Sequence, residues 1–157
     1  MRIRHVMTKD PRCCVPSDFS VKAACIMRDE HAGVVPVIES EENRRIVGVV
    51  TDRDLCMNVV AAGLDPNATT VKWCMTTKVV SCSPNDSVEK ATELMRENQI
   101  RRVPVVNESC ELQGIVSLGD IVERATVKST QTHETLKCVS APTDAASKPR
   151  AESRKAA

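Results

Sequence analysis

Two short stretches hold the groups best placed to do chemistry. They are Gly48-Val49-Val50-Thr51-Asp52-Arg53-Asp54 and Gly114-Ile115-Val116-Ser117-Leu118-Gly119-Asp120. Each sets a hydroxyl three residues ahead of a carboxylate, where a β-branched run gives way to a helical pattern. A helix N-terminus offers unpaired N–H groups and a field that favours phosphate. Thr51 and Ser117 can donate to a phosphate or ribose oxygen. Asp54 and Asp120 are acceptors suited to the two hydroxyls of a ribose. The same spacing is that of a helix N-cap with an acid at the third helical position. Spacing alone leaves capping and ligand binding both open.

The eight cysteines are a second source of chemistry: Cys13, Cys14, Cys25, Cys56, Cys74, Cys82, Cys110 and Cys138. No CxxC pair occurs, and no Cys and His fall at zinc-finger spacing, so no metal ligand set is assigned. The start of the chain has no apolar signal segment, which makes reduced thiols in a cytoplasm the expectation. Most of the cysteines read as small core or surface residues. The three histidines form no catalytic constellation, and His31 reads as a helix-end residue. No nucleophile elbow, phosphate-binding loop or metalloprotease motif is present, so an enzyme is not expected.

Composition excludes further classes. Phe19 and Trp73 are the only aromatics among 157 residues, which leaves no platform for stacking single-stranded bases. A net charge of +1 does not suit a phosphate-backbone binder. No apolar run reaches the ~18 residues of a membrane span. From Thr126 onward there are six basic and three acidic residues, against 16 basic and 18 acidic over residues 1–125. The acidic portion is the expected folded unit, long enough to bury roughly two thirds of its unfolded surface.

The chain repeats itself. Shifted by 68, residues 6–38 fall on 74–106 with twelve identities, among them Met7/Met75, Thr8/Thr76, Cys14/Cys82, Met27/Met95 and Val35-Pro36-Val37/Val103-Pro104-Val105. The register then becomes 66 and matches Gly48/Gly114, Val50/Val116 and Asp54/Asp120. Duplication explains this.

Each repeat predicts the same elements. A short extended piece lies near 12–15 and 80–83. A helix follows over about 18–30 and 87–98, the second opened by an Asp86–Glu89 capping box. Strands Val34–Ile38 and Val103–Val106 each contain a proline, which requires an edge or a ladder gap. The runs 46–50 and 112–116 suit buried strands. Second helices cover about 52–62 and 118–125, the first stopped by Gly63. The expected division is a first repeat over 1–63, a linker over 64–70, a second repeat over 71–126 and a disordered polar tail over 127–157, with a weak short helix around His133–Val139. One such unit has little core of its own, so two sharing an interface are expected.

A βαββα unit in tandem, with Met-Thr near each start, Val-Pro-Val after the first helix and Gly-x-x-[Ser/Thr]-x-x-Asp at the end, resembles a pair of cystathionine-β-synthase (CBS) domains. The resemblance covers about residues 1–125. Asp52-Arg53-Asp54 and the stretch 62–67 are more narrowly similar to small stand-alone bacterial CBS-pair proteins of the stress- or hypoxia-response kind. The resemblance implies an α+β fold with the repeats packed as a pseudo-twofold pair, commonly assembled into homodimers. It implies a regulatory module, not an enzyme, that needs no cofactor and binds an adenosyl nucleotide (AMP, ADP, ATP, NAD or S-adenosylmethionine) in two clefts. It also implies signalling to a separate effector protein.

Carried over residue by residue, the resemblance assigns one cleft Thr51 and Asp54 with Gly33, Val34, Thr76, Ser81, Ile100, Arg101 and Arg102. The other takes Ser117 and Asp120 with Arg101, Arg102, Thr8, Cys13, Ala32, Gly33 and Val34. Arginine suits phosphate through a paired planar contact. The first repeat has Gly33-Val34 where the second has Arg101-Arg102, so the Ser117/Asp120 cleft is preferred for a phosphorylated ligand. Arg101 and Arg102 are alternatively a solvated edge or an intersubunit ion pair. Two other functions stay open: a thiol or zinc stress sensor, drawn from the equivalent Cys14 and Cys82 and the adjacent Cys13-Cys14, and a ligand-free dimerisation scaffold.

Overall fold

The two apolar runs of each repeat fold onto each other as a hairpin. In the computed structural model, which describes residues 1–124 and 129–140, with side chains for 1–124 and 135–140, β2 (Val34–Ile38) pairs antiparallel with β3 (Ile46–Thr51). In the second repeat β4 (Arg102–Val106) pairs with β5 (Leu112–Ser117) in the equivalent register. The prolines sit as expected. Pro36 and Pro104 turn their missing donors to the outer side of the hairpin, where only single bridges run, Cys14 to Val37 and Cys82 to Val105. Cys14 N–H donates to the Pro36 carbonyl at 3.0 Å, and Cys82 N–H to that of Pro104 at 3.1 Å.

The helices α1 (Ser20–Asp29) and α4 (Val88–Asn98) lay their apolar stripes on these sheets. Ala23, Ile26 and Met27 are buried on one, and Val88, Ala91 and Met95 on the other. Burial of each larger side chain stabilises by about 1.5–3 kcal/mol. The cap of α4 differs from the Asp86–Glu89 box. Ser87 is the N-cap and accepts from Lys90 N–H at 3.2 Å, while Asp86 accepts from Ser83 N–H at 2.8 Å and closes the preceding turn. The helix after β3 begins as α2 (Asp52–Leu55) and continues as a π-helical turn over Cys56–Val60, with Gly63 at φ +69° ending it. Its partner α5 covers Leu118–Arg124.

Each repeat sends its leading segment into the other repeat. Strand β1 (Thr8–Lys9) pairs with β5, and the equivalent Thr76 bridges Val49 of β3. A single helical turn, Ile3–His5, leads into β1, and a short helix α3 (Val71–Cys74) leads into Thr76. Ile3 and Val6 are buried in the core of the second repeat, and Val71 and Cys74 in the core of the first. The glycines before each Val-Val or Ile-Val are set by this crossing. A Cβ on Gly114 would lie 2.7 Å from the Thr8 carbonyl oxygen, and one on Gly48 3.0 Å from that of Thr76. The sheets also meet edge to edge on the pseudo-twofold axis. There Arg45 bridges Glu111, flanked by Ile46 N–H to the Cys110 carbonyl (3.0 Å) and Leu112 N–H to the Arg44 carbonyl (2.9 Å).

Beyond the second repeat the structure contains a helix, α6 (Ser129–Ser140), where the sequence suggests a disordered tail with at most a short helix. It packs across α4. Thr135 is buried, and Val139 lies against the second core, so tertiary contact supplies the stability that the segment's weak pattern does not. The rest of the expected tail, 127–128 and 141–157, lies outside the described residues. No helix among the described residues is long and apolar enough to cross a membrane.

Candidate functional site

The two hydroxyl–carboxylate pairs are helix caps. Thr51 Oγ1 donates to Asp54 Oδ2 at 2.7 Å and accepts from Asp54 N–H at 3.1 Å, while Thr51 N–H donates to the same Oδ2 at 3.0 Å. Ser117 and Asp120 repeat the arrangement at 2.6, 3.0 and 2.9 Å. The hydroxyl proton of each pair is therefore spent on the carboxylate, and neither Thr51 nor Ser117 donates outward in this state. The second carboxylate oxygens differ. Asp120 Oδ1 faces Arg124 Nη1 at 3.7 Å, and Arg124 also donates to the Val6 carbonyl at 3.1 Å. Asp54 has no ion pair within 4.0 Å among the described residues.

The free N–H groups expected at these helix starts are partly taken by backbone. Asp52 N–H donates to the Gly33 carbonyl at 3.2 Å, and Leu118 N–H to the Arg101 carbonyl at 2.9 Å. These bonds tie Gly33 to the start of α2 and Arg101 to the start of α5. Gly33 and Val34 thus border the Thr51/Asp54 cap, and Arg101 and Arg102 border the Ser117/Asp120 cap, with Val34 opposite Thr51 and Arg102 opposite Ser117 in register.

The side chain of Arg102 does not stay with its own cap. Its Nη1 comes to 3.4 Å from where a Cβ on Gly33 would sit, and Asp52 Oδ2 comes to 2.8 Å of the same point. Arg102 is rooted beside Ser117 and ends beside Gly33 and Asp52. This brings the cation toward the Thr51/Asp54 cleft, one of the two to which the sequence reading assigned it. Asp52 is absent from the residues selected by sequence, and its equivalent Leu118 is buried in the second core. The signal lay in the unlike pair Asp52/Leu118, but local sequence does not report where the carboxylate points. Arg101 is exposed, and neither arginine has an ion pair within 4.0 Å among the described residues.

The remaining selected residues fall around the crossing segments. Thr8 and Thr76 are exposed on the two crossing segments, each held by the opposite sheet. Ser81 is half-buried just ahead of the Cys82 bridge. Ala32 and Ile100 close the ends of α1 and α4, their N–H groups bonded to the Met27 (2.9 Å) and Met95 (3.0 Å) carbonyls. Cys13 is half-buried, its thiol donating to the Pro11 carbonyl at 3.0 Å and lying 3.6 Å from Arg44 Nη2. Burial raises the Cys13 thiol above its ordinary range despite Arg44. A groove of about 350 Å³ lies away from both caps, between α4 and α6 and lined by Lys90, Glu93, Arg96 and Thr135.

The equivalent thiols are core groups. Cys14 and Cys82 are buried, and burial, reinforced by Asp18 and Asp86 respectively, pushes each up to about 12. Such thiols are protonated and unreactive at neutral pH. No group of three or more His, Cys, Asp or Glu side chains suited to a metal occurs among the described residues.

Comparison with known proteins fits this architecture. The family model of the CBS domain matches twice, over residues 3–61 and 69–126. The uncharacterized protein YlbB of Bacillus subtilis is 38% identical over 120 residues, covering 76% of this chain and 79% of that protein. Hypoxic response protein 1 of Mycobacterium tuberculosis is 34% identical over 118 residues, covering 75% and 80%. The crystal structure of a Hypoxic Response Protein I with two coordinated zinc ions superposes with a TM-score of 0.71 at 32% identity, covering 78% of this chain and 98% of that one. A hexameric CBS-CP12 protein from bloom-forming cyanobacteria superposes with a TM-score of 0.69 at 27% identity, covering 80% and 72%.

Proposed function

This chain belongs to the CBS domain family as a tandem pair, a regulatory fold, and on that premise we propose that it senses an adenosine-containing ligand. The ligand class is AMP, ADP, ATP, NAD or S-adenosylmethionine, held in the clefts beside the two caps, with the response read by a separate effector. One observation carries the reading. Arg102 leaves the second repeat beside Ser117 and ends beside Gly33 and Asp52 of the first. A ligand that engages this guanidinium touches both repeats, so its binding energy bears on how they sit together. Ligand shifts such an equilibrium only by its differential affinity for the two states.

Self-association is part of the proposal. Phe19, Met57, Val60 and Trp73 are exposed around α1, the π-helical turn and α3 of the first repeat. On the second repeat α6 lies over α4, the counterpart of α1. A second copy docking on the uncovered face would bury these side chains and make a homodimer.

The test is a thermal-shift screen of reduced protein against the five adenosyl compounds and zinc. A ligand at ~100 times its dissociation constant adds about 2.7 kcal/mol, a shift of several degrees. A shift with one adenosyl compound that is lost in Arg102→Ala supports the proposal. A shift with zinc alone supports the thiol or zinc sensor instead. No shift with any compound supports a ligand-free scaffold.

A further inference from the structure

The Thr51/Asp54 cleft carries its own anion. The Asp52 carboxylate is anchored through Oδ1 to Arg53 N–H at 2.7 Å, which leaves Oδ2 over Gly33. Arg102 Nη1 reaches the same place from the other repeat. The two groups lie within a few ångström of each other yet outside the 4.0 Å of a direct ion pair. The absent side chain of Gly33 leaves room for both. The Ser117/Asp120 cleft has no counterpart: Leu118 stands in place of Asp52 and is buried, and Val34 stands in place of Arg102.

We infer that Asp52 is a specificity-determining residue that sets the first cleft against phosphorylated ligands. The inference rests on the adenosyl-binding reading and adds to it the charge class of ligand that the first cleft accepts. A phosphate drawn to Arg102 meets the Asp52 carboxylate at like charge. An uncharged nucleoside, or one with a cationic substituent, meets no such opposition. Asp52 therefore occupies the anionic place beside Arg102 in the free protein, and a phosphate must displace it. The repulsion between two charges roughly 6 Å apart in a partly solvated cleft corresponds to a three- to tenfold change in affinity, and salt screens it.

The test is calorimetric titration of the full chain with AMP and with adenosine, for the wild type, Asp52→Asn and Arg102→Met. Asparagine keeps the oxygen that accepts from Arg53 N–H, so the start of α2 is preserved, and an unchanged melting temperature confirms it. The expected result is that Asp52→Asn tightens AMP by three- to tenfold, with the gain shrinking at high salt, and leaves adenosine unchanged. Arg102→Met should abolish any advantage of AMP over adenosine. Wild type that binds AMP as tightly as Asp52→Asn does overturns the inference while the adenosyl reading stands. Equal tightening of AMP and adenosine also overturns it, because the effect is then not electrostatic. Failure of both compounds to bind wild type and Asp52→Asn overturns the adenosyl reading and this inference together.

Discussion

The Thr8 carbonyl oxygen lies 2.7 Å from where a Cβ on Gly114 would stand. Real side chains do not tolerate that approach, so Gly114 is a glycine because a strand from the other repeat runs across it. At Gly48 the equivalent clearance from the Thr76 carbonyl is 3.0 Å. Gly114→Ala should destabilise the fold by about 1–3 kcal/mol through overpacking against backbone, and Gly48→Ala by less. Urea unfolding of the two variants checks the order. Equal stability to wild type in Gly114→Ala would show that the crossing strand does not hold Thr8 there.

The caps predict a second pair of effects. Ser117 Oγ accepts from Asp120 N–H at 3.0 Å and Thr51 Oγ1 from Asp54 N–H at 3.1 Å. Ser117→Ala and Thr51→Ala should each cost about 1 kcal/mol, the usual worth of a lost N-cap. Thermal melts of the single variants and the double variant measure this, and the two effects should add because the caps are on different helices.

Cys14 and Cys82 make stability fall in alkali. Each thiol has a folded value of about 12 against 9.0 in the unfolded chain, so the folded state holds its proton longer. The contribution is fully present below pH 9 and is lost as pH rises from 9 toward 12. At pH 10.5 the loss is at most about 2 kcal/mol per thiol. Urea midpoints at pH 8 and 10.5 test it, and Cys14→Ala with Cys82→Ala should flatten the difference. At pH 8 a thiol reagent should modify the exposed Cys56 and Cys110 first and leave Cys14 and Cys82 intact until unfolding.

Trp73 reports on self-association. It is the chain's one tryptophan and is 60% exposed, so a free pair should emit as a largely solvated indole. If the first-repeat face docks a second copy, emission shifts to the blue as concentration rises, and Trp73→Ser lowers the mass seen by light scattering. Concentration-independent emission from a confirmed dimer would place the interface elsewhere.

Helix α6 should contribute to the second repeat. Thr135 is 1% exposed and the partly buried Val139 packs against the second core, so Val139→Asp should cost about 1–3 kcal/mol by setting a charge against apolar side chains. The same change should leave any association through the first-repeat face intact.

Much of this protein is decided by local sequence. Periodicity placed both hairpins and the helices that cover them, because burial of one face selects a period of two or 3.6. Pro36 and Pro104 predicted where the ladders thin, and Gly63 where a helix stops, since each follows from one residue's backbone chemistry. The tandem repeat predicted two equivalent caps. Other features depend on contacts between residues far apart in the chain. Thr8 crossing to Gly114, Val71 entering the first core and α6 lying on α4 each form only when the halves pack. The resemblance assigns Arg102 to both clefts, and sequence does not say where its long side chain ends. The structure roots it beside Ser117 and ends it beside Gly33 and an Asp52 that composition and spacing alone do not single out. Backbone position follows from pattern, but the end of a flexible charged side chain goes where the assembled surface leaves room, here over Gly33.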